Sequence, residues 1–326
     1  MISNKFNGKV FGSSFILVLF LAIVSFAQEK PKSTVVYNQE KKQWSVAERN
    51  NVYCAGYIQT APINTNFEIV GSKDENEQFS YSQNELMYVN QGASNGVKVG
   101  DVFSVVRPRG QVNSKLSSKG KLGFWVQEVG SGEIVRVKNN ISVARIKTSC
   151  DNFQLGDLLQ PLEKRVVPMS KERPALDIFA EPNGKTVGRI VMGREAREVF
   201  SRDQIVYIDL GAEDNVKVGD YLTVFRPLGT GGVKNLYQEE TVNPSDSDYG
   251  SETYQGSPFS NMAQRKSGNT AEGKVVTSKN AKTRRPAGIR KVVGDMIILS
   301  VKERTATALI LRNAQEIHNG DYVEVQ

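Results

Sequence analysis

The residues in this chain best placed to do chemistry are four Gly-Asp steps: Gly100-Asp101, Gly156-Asp157, Gly219-Asp220 and Gly320-Asp321. Paired carboxylates can serve as acid and base in glycoside hydrolysis. Each step, however, stands at the entry of a β-rich run. Glycine supplies the positive φ that a tight turn needs, and aspartate can bond a backbone N–H two residues on. Their position therefore explains them without catalysis. The single histidine, His318 in EIHNGD, has no second imidazole and no Cys pair at ligand spacing. No metal site and no cofactor is expected. No G-x-S-x-G elbow exists to recruit His318 into a Ser-His-Asp triad. Gly229-Thr230-Gly231-Gly232 lacks the Lys-Ser/Thr ending of a phosphate loop. No catalytic residue is assigned.

The remaining reactive side chains are Cys54 and Cys150. A bridge between them would close a loop of nearly a hundred residues, worth up to ~4–5 kcal/mol in the loop-entropy picture. The alternative is two separately buried thiols acting as small hydrophobes.

The elements that must hold these residues repeat. Residues 88–108 read YVNQGASNGVKVGDVFSVVRP and residues 207–227 read YIDLGAEDNVKVGDYLTVFRP, a gapless match at an offset of 119. A looser match at an offset of 164 joins residues 133–159 to residues 297–323. Such self-similarity marks a duplicated unit. In the first copy Phe103 and Val105 share one face by period-two alternation, as Leu222 and Val224 do in the second. Ser104 and Thr223 point the other way. The runs 134–137 and 141–146 flank Lys138-Asn139-Asn140, a hairpin pattern; 297–301 and 305–311 flank Lys302-Glu303-Arg304 likewise. Arg107-Pro108 and Arg226-Pro227 are expected to end their strands, since proline has no N–H for a ladder.

The chain is therefore expected to be mainly β, with two small antiparallel β-barrels in tandem. One spans 85–165 and the other 201–326, with short β elements at 28–84 and a β-rich connector at 166–200. A helix is a candidate only near 41–50. Residues 229–284, rich in Ser, Gly, Asn and Thr, interrupt the second copy. They carry too little apolar surface to offset ordering entropy and are expected to be disordered.

The N-terminus reads as a secretory signal. Lys5 and Lys9 precede an apolar run of about twelve residues, Phe15 to Phe26, and Ser25-Phe26-Ala27 supplies small residues for cleavage after Ala27. A spanning helix needs roughly twenty apolar residues. A mature chain with no transmembrane span, periplasmic or otherwise exported to the envelope, is expected. Removing 1–27 takes two lysines and no acid, so the net charge drops from +7 to +5. Export would place both cysteines in an oxidising space. Nucleic acid is not expected as a partner, since no aromatic-basic motif is present.

The N-x-G-x-x-x-G-V-x-V-G-D-x-F-x-V-x-R-P pattern stands at Asn90, Gly92, Gly96, Val97, Val99, Gly100, Asp101, Phe103, Val105, Arg107 and Pro108. Followed by QLGDLLQP, it resembles the C-terminal module of the flagellar assembly protein T family. The double module, with YCAGYI upstream, is also similar to secreted bacterial envelope proteins of unassigned activity. The resemblance implies SH3-like barrels facing the envelope. It covers about half of the mature chain. The upstream domains of the flagellar family are not seen here, and Asn215 stands in place of Gly96 in the second copy. The Gly-Asp step of GDYLTV is also similar to peptidoglycan-binding LysM modules, although those place helices after their first strand. The expected function is non-enzymatic binding or assembly with an envelope protein partner. Cell-wall glycan binding is the alternative, and a carboxylate-based glycan hydrolase a more distant one.

Overall fold

A computed structural model describes residues 44–47, 52–195, 197–228 and 285–326. The signal segment with Ala27, most of the candidate helix at 41–50 and the insertion at 229–284 lie outside the described residues. The described chain is mainly β. Among the described residues no helix is long and apolar enough to cross a membrane.

The first half holds β1 (Tyr57–Gln59), β2 (Ile69–Ser72), β3 (Leu86–Val89), β4 (Val102–Asn113), β5 (Lys121–Val137), β6 (Ser142–Ser149) and β7 (Leu158–Pro161). They form one seven-stranded sheet in the order β2-β3-β6-β5-β4-β7, with β1 paired to β5. All pairings are antiparallel. The edge strands β2 and β7 meet through a single bridge, Glu68 opposite Leu158. Ile69 N–H donates to Asp157 O at 2.9 Å and Leu159 N–H to Phe67 O at 2.8 Å across that seam.

The second half holds β8 (Val187–Gly193), β9 (Val199–Phe200), β10 (Ile205–Ile208), β11 (Tyr221–Pro227), β12 (Arg290–Val301), β13 (Ala306–Asn313), β14 (Ile317–His318) and β15 (Tyr322–Val325). Six of these close into an antiparallel barrel, β10-β13-β12-β11-β15-β8, while β9 pairs with β14. Because β8 is a barrel strand, the barrel begins before residue 201. Ile190 N–H donates to Asp321 O at 2.9 Å, the same bond that Ile69 makes to Asp157. These two isoleucines are 121 apart rather than 119, so a fixed-offset comparison passes over this strand pair.

Period-two alternation builds both interiors. Val206, Ile208, Leu222, Val224, Met296 and Ile310 fill the barrel. Met87, Val89, Val105, Ile134 and Ile146 fill the first sheet, with Phe103 packed against them. Bulky β-branched and aliphatic side chains suit such pleated, buried surfaces.

The Gly-Asp steps are turn devices. Gly100, Gly156, Gly219 and Gly320 take φ of 92°, 85°, 91° and 89°, conformations in which a Cβ is strained. The aspartates bond backward rather than forward. Asp101 accepts from Lys98 N–H, Asp157 from Gln154 N–H and Asp220 from Lys217 N–H, each at 2.8 Å, and Asp321 from His318 N–H at 2.7 Å. The left-handed glycine turns the chain so that the carboxylate meets the N–H three residues behind it. A forward reach, as in an Asx turn, is not used.

Two of these carboxylates also pin arginines. Arg107 grips Asp157 through Nε at 2.6 Å and Nη2 at 2.8 Å. Arg226 grips Asp321 at 2.6 and 2.7 Å, with His318 Nδ1 2.7 Å from its Nη2. The pairs tie the end of one strand to the entry of another by two parallel bonds.

Proline ends β11 at Pro227 but does not end β4. That strand runs on to Asn113, with a register shift between Pro108 and Gly110. β4 pairs with β7 only as far as Val106, so beyond it one side has no ladder to satisfy. Proline is tolerated there as on any edge.

The described residues from Trp44 to Gln326 belong to one compact unit, and the reason lies outside the barrel. Ile205, Ile297, Leu299 and Leu309 project from it and are buried against Ala47, Val52 and Ala55. Ile58 and Leu122 cover Val191 and Tyr207 in the same way. The extended ends of β4 and β5 form an arm over this surface. At its tip Lys119 pairs with Glu213 at 2.6 Å, and Arg304 Nη2 donates to Lys119 O at 2.9 Å.

Replacing Asp157 or Asp321 by alanine removes two charge-assisted bonds and a turn bond. Each change is expected to lower unfolding stability by about 2–3 kcal/mol. Asp101→Ala or Asp220→Ala removes one turn bond and is expected to cost about 1 kcal/mol. Urea unfolding of the four variants measures the difference.

Candidate functional site

The outward face of each sheet carries a polar cross-strand row, and the two rows differ. In the barrel, Glu324, Thr223, Asp295 and Arg312 lie opposite one another across β15, β11, β12 and β13. In the first sheet the matching residues are Gln160, Ser104, Ser131 and Thr148 across β7, β4, β5 and β6. A charged row thus stands where the other copy has a hydroxyl and amide row.

A segment without strand pairing, residues 173–183, with a turn at Ile178-Phe179, lies across the barrel row. Arg173 reaches Asp295 at 2.9 Å and donates to Gln326 Oε1 at 2.8 Å. Its guanidinium sits 4.3 Å from the centre of the Tyr221 ring. Arg312 Nη1 donates to Pro174 O at 2.7 Å, and Val292 N–H to Ile178 O at 2.9 Å. Arg290 donates to Ala180 O and Glu181 O and pairs with Glu324 at 2.7 Å. Asn183 closes the set on Glu324 and Val325 O. The barrel face holds this segment through its backbone carbonyls and one inserted side chain.

Among the described residues the first sheet has no such insertion. Val52, 121 residues before Arg173, is buried at 1% exposure in the apolar contact with the barrel. A cleft of about 390 Å³ remains over the row, lined by Tyr53, Val102, Ser104, Ser131, Lys147, Thr148 and Leu162, with Cys54 and Gly130. Ser131 and Thr148 share a hydrogen bond of 2.7 Å. A register shift in β6 lies beside Lys147, which pairs with Glu133 at 3.0 Å. A second cleft of about 310 Å³ shares Tyr53, Ser104 and Leu162 and continues past Tyr57, Gln160 and Arg165 to Lys302.

Glu128 forms the floor of that second cleft and is 4% exposed. It accepts from Gly56 N–H at 3.0 Å and from Arg165 Nη1 at 2.9 Å. Burial pushes its carboxyl above the usual range, and Arg165 offsets part of that rise. Arg165 also donates to Val52 O at 2.7 Å, so one guanidinium holds both the carboxylate and the N-terminal segment. Burial, then the Glu128 charge, raises the Tyr57 hydroxyl to about 12. Lys302 Nζ lies 4.5 Å from the centre of its ring.

The disulfide anchors the wall of the first cleft. Cys54 and Cys150 are bridged, with Cα atoms 5.5 Å apart, and fix the Tyr53 segment to the end of β6. Of the residues read from the sequence as candidates for chemistry, Cys54 lines a cleft; Ser104, read as an outward strand residue, lines both, and Lys302, read as a hairpin residue, lines the second. The Gly-Asp carboxylates serve turns and arginine pins, and His318 lies beside the Arg226 pin. Ser131, Lys147, Thr148, Glu128 and Arg165 were not anticipated. The available signal was the contrast between the copies at Ser104/Thr223, Ser131/Asp295 and Thr148/Arg312. No protein-family model and no curated protein matches the chain.

Arg165→Met leaves Glu128 buried without its cation. Stability at neutral pH is expected to fall by about 3 kcal/mol. With its folded pKa raised above the unfolded value of about 4.3, Glu128 favours folding only when protonated. The deficit should therefore shrink as pH falls and grow as pH rises through the raised value. Urea unfolding at mildly acidic and neutral pH reads this trend against the unchanged chain.

Proposed function

We propose that this chain is an exported, non-enzymatic envelope protein whose two SH3-like β-modules bind a protein partner. The observation that carries this reading is the segment 173–183 seated across the barrel face. There the sheet holds a non-strand polypeptide segment through carbonyls and an inserted side chain, and the first sheet offers a cleft at the matching row. In this reading the first sheet, joined at its Glu68–Leu158 seam, is the first SH3-like module. The second is interrupted by residues 229–284. The signal-like N-terminus and the bridged cysteines support export, since such bridges persist in oxidising compartments. Assignment of all four Gly-Asp carboxylates to turns supports a non-enzymatic role.

Ser104 and Thr223 occupy matching positions, one beside the clefts and one on the covered row. A photo-crosslinking residue at Ser104, irradiated in envelopes of producing cells, is expected to yield one discrete protein adduct. The same residue at Thr223 is expected to yield only internal crosslinks to 173–183. Equal adducts from both positions, or none from Ser104, would contradict the reading. Wall hydrolysis by the purified chain that Glu128→Gln abolishes without unfolding would show an enzyme instead.

The export reading has its own check. Alkylation of the denatured, unreduced protein from the producing cell is expected to add no mass, with both thiols bridged. Two alkylated cysteines would remove the oxidising-compartment argument.

A further inference from the structure

The two rows give the chemistry of the guest as well as its place. In the barrel the acceptor is Asp295 and the inserted group is the Arg173 guanidinium, 2.9 Å away. Tyr221 and Gln326 form the remaining walls. Their partners at offsets of 119 and 164 are Val102 and Leu162, which line the first cleft. Ser131 replaces Asp295, so the acid that selects arginine is gone. Lys147 replaces Leu311, so a cation has been added. Among the described residues lining that cleft, Lys147 alone is charged. It is about half exposed, and its pairing with Glu133 lies at the rim. Ser131 and Thr148 bond each other, which leaves one of their hydroxyl protons to donate outward. The cleft therefore presents donors, a cation and no acid.

We propose that the first cleft, resting on the protein-partner reading above, accepts a carboxylate side chain from a segment of the partner. The carboxylate enters between Val102 and Leu162 and takes hydrogen bonds from Lys147 and from the Ser131–Thr148 pair. The segment's backbone crosses β4, β5 and β6, as residues 173–183 cross β11, β12 and β13. The guest thus has the opposite charge to the one held in the barrel. A basic segment would bring its cation against Lys147, where the nearest acid, Glu133 at the rim, is already paired with that lysine.

The test uses the full mature chain and fluorescein-labelled peptides of residues 170–181 of this protein. One keeps Arg173, one carries Arg173→Glu and one Arg173→Gln. Fluorescence anisotropy is expected to show the Glu peptide binding about tenfold more tightly than either of the others, the effect of one charge-assisted bond. Lys147→Gln, a change at a half-exposed site, should reduce that advantage about tenfold. Ser131→Asp, which restores the barrel's acid, should shift preference to the Arg peptide. Melting curves show whether either variant remains folded, and Lys147→Gln carries the test if Ser131→Asp does not. Equal binding of the Glu and Gln peptides, or tighter binding of the Arg peptide, overturns the proposal. If the Ser104 crosslink persists in that case, the carboxylate inference fails and the protein-partner reading stands. If both disappear, both fail. Soluble peptidoglycan fragments, whose stems also carry carboxylates, binding where no peptide does would overturn the assignment to a protein segment.

Discussion

The architecture depends on a barrel that is apolar inside and apolar again over part of its outer face, beside the charged row. Inside, Leu222, Val224 and Ile298 pack as in any small β core. Outside, Ile205, Ile297, Leu299 and Leu309 are at most 5% exposed, because other parts of the chain lie over them. Four such side chains left in water would cost on the order of 6–12 kcal/mol. That is comparable to the whole net stability of an ordinary domain. The N-terminal segment and the β4–β5 arm are therefore part of the barrel's fold as much as of their own sheet. The bonds that seat them are polar and directional. Thr305 donates to Ile58 O and Thr307 to Gly56 O, while Tyr207 donates to Ala55 O at 2.8 Å and accepts from Trp125 at 3.1 Å. Burial raises the Tyr207 hydroxyl well above its ordinary value.

The halves share a frame and differ in their coats. Where the barrel has Ile297 and Leu309, the first sheet has Glu133 and Arg145. That polar coat needs no cover, as in the terminal unit of a repeat array. The differences also decide what each outward row can hold. Asp295 is closed in by Arg173 and Arg312, whereas Ser131 and Thr148 leave room above them. Cys150, at the position of Ala314, secures the segment that walls the cleft, and Arg165 holds the same segment from the other side.

The frame was legible in the sequence because it rests on local rules. Gly-Asp turns, hairpins about Lys138-Asn139-Asn140 and Lys302-Glu303-Arg304, and Phe103/Val105 alternation all depend on neighbouring residues. The mainly β character followed from them. β2 and β8 were missed as partners because a two-residue change in loop length shifts Ile69 and Ile190 out of the common offset. Pro108 was misread because its effect depends on whether β7 extends beside it, a tertiary fact. The site was largely illegible for the same kind of reason. Glu128, Arg165 and Gly56 meet across 37 and 72 residues of chain. Nor does any sequence pattern show that a small serine at 131 leaves a cleft. Only comparison of the copies, position by position, carries that information.

The most direct test of this account removes the cover. Residues 185–326 contain the whole barrel but neither the N-terminal segment nor the arm. Produced alone, this fragment should fail to give a dispersed amide NMR spectrum and should self-associate through its uncovered face. Restoring residues 44–184 should recover a cooperative, monomeric fold. A fragment that stays monomeric and unfolds cooperatively at the same denaturant midpoint as the full chain would contradict the claim that the two halves are bound by the barrel's outer apolar face.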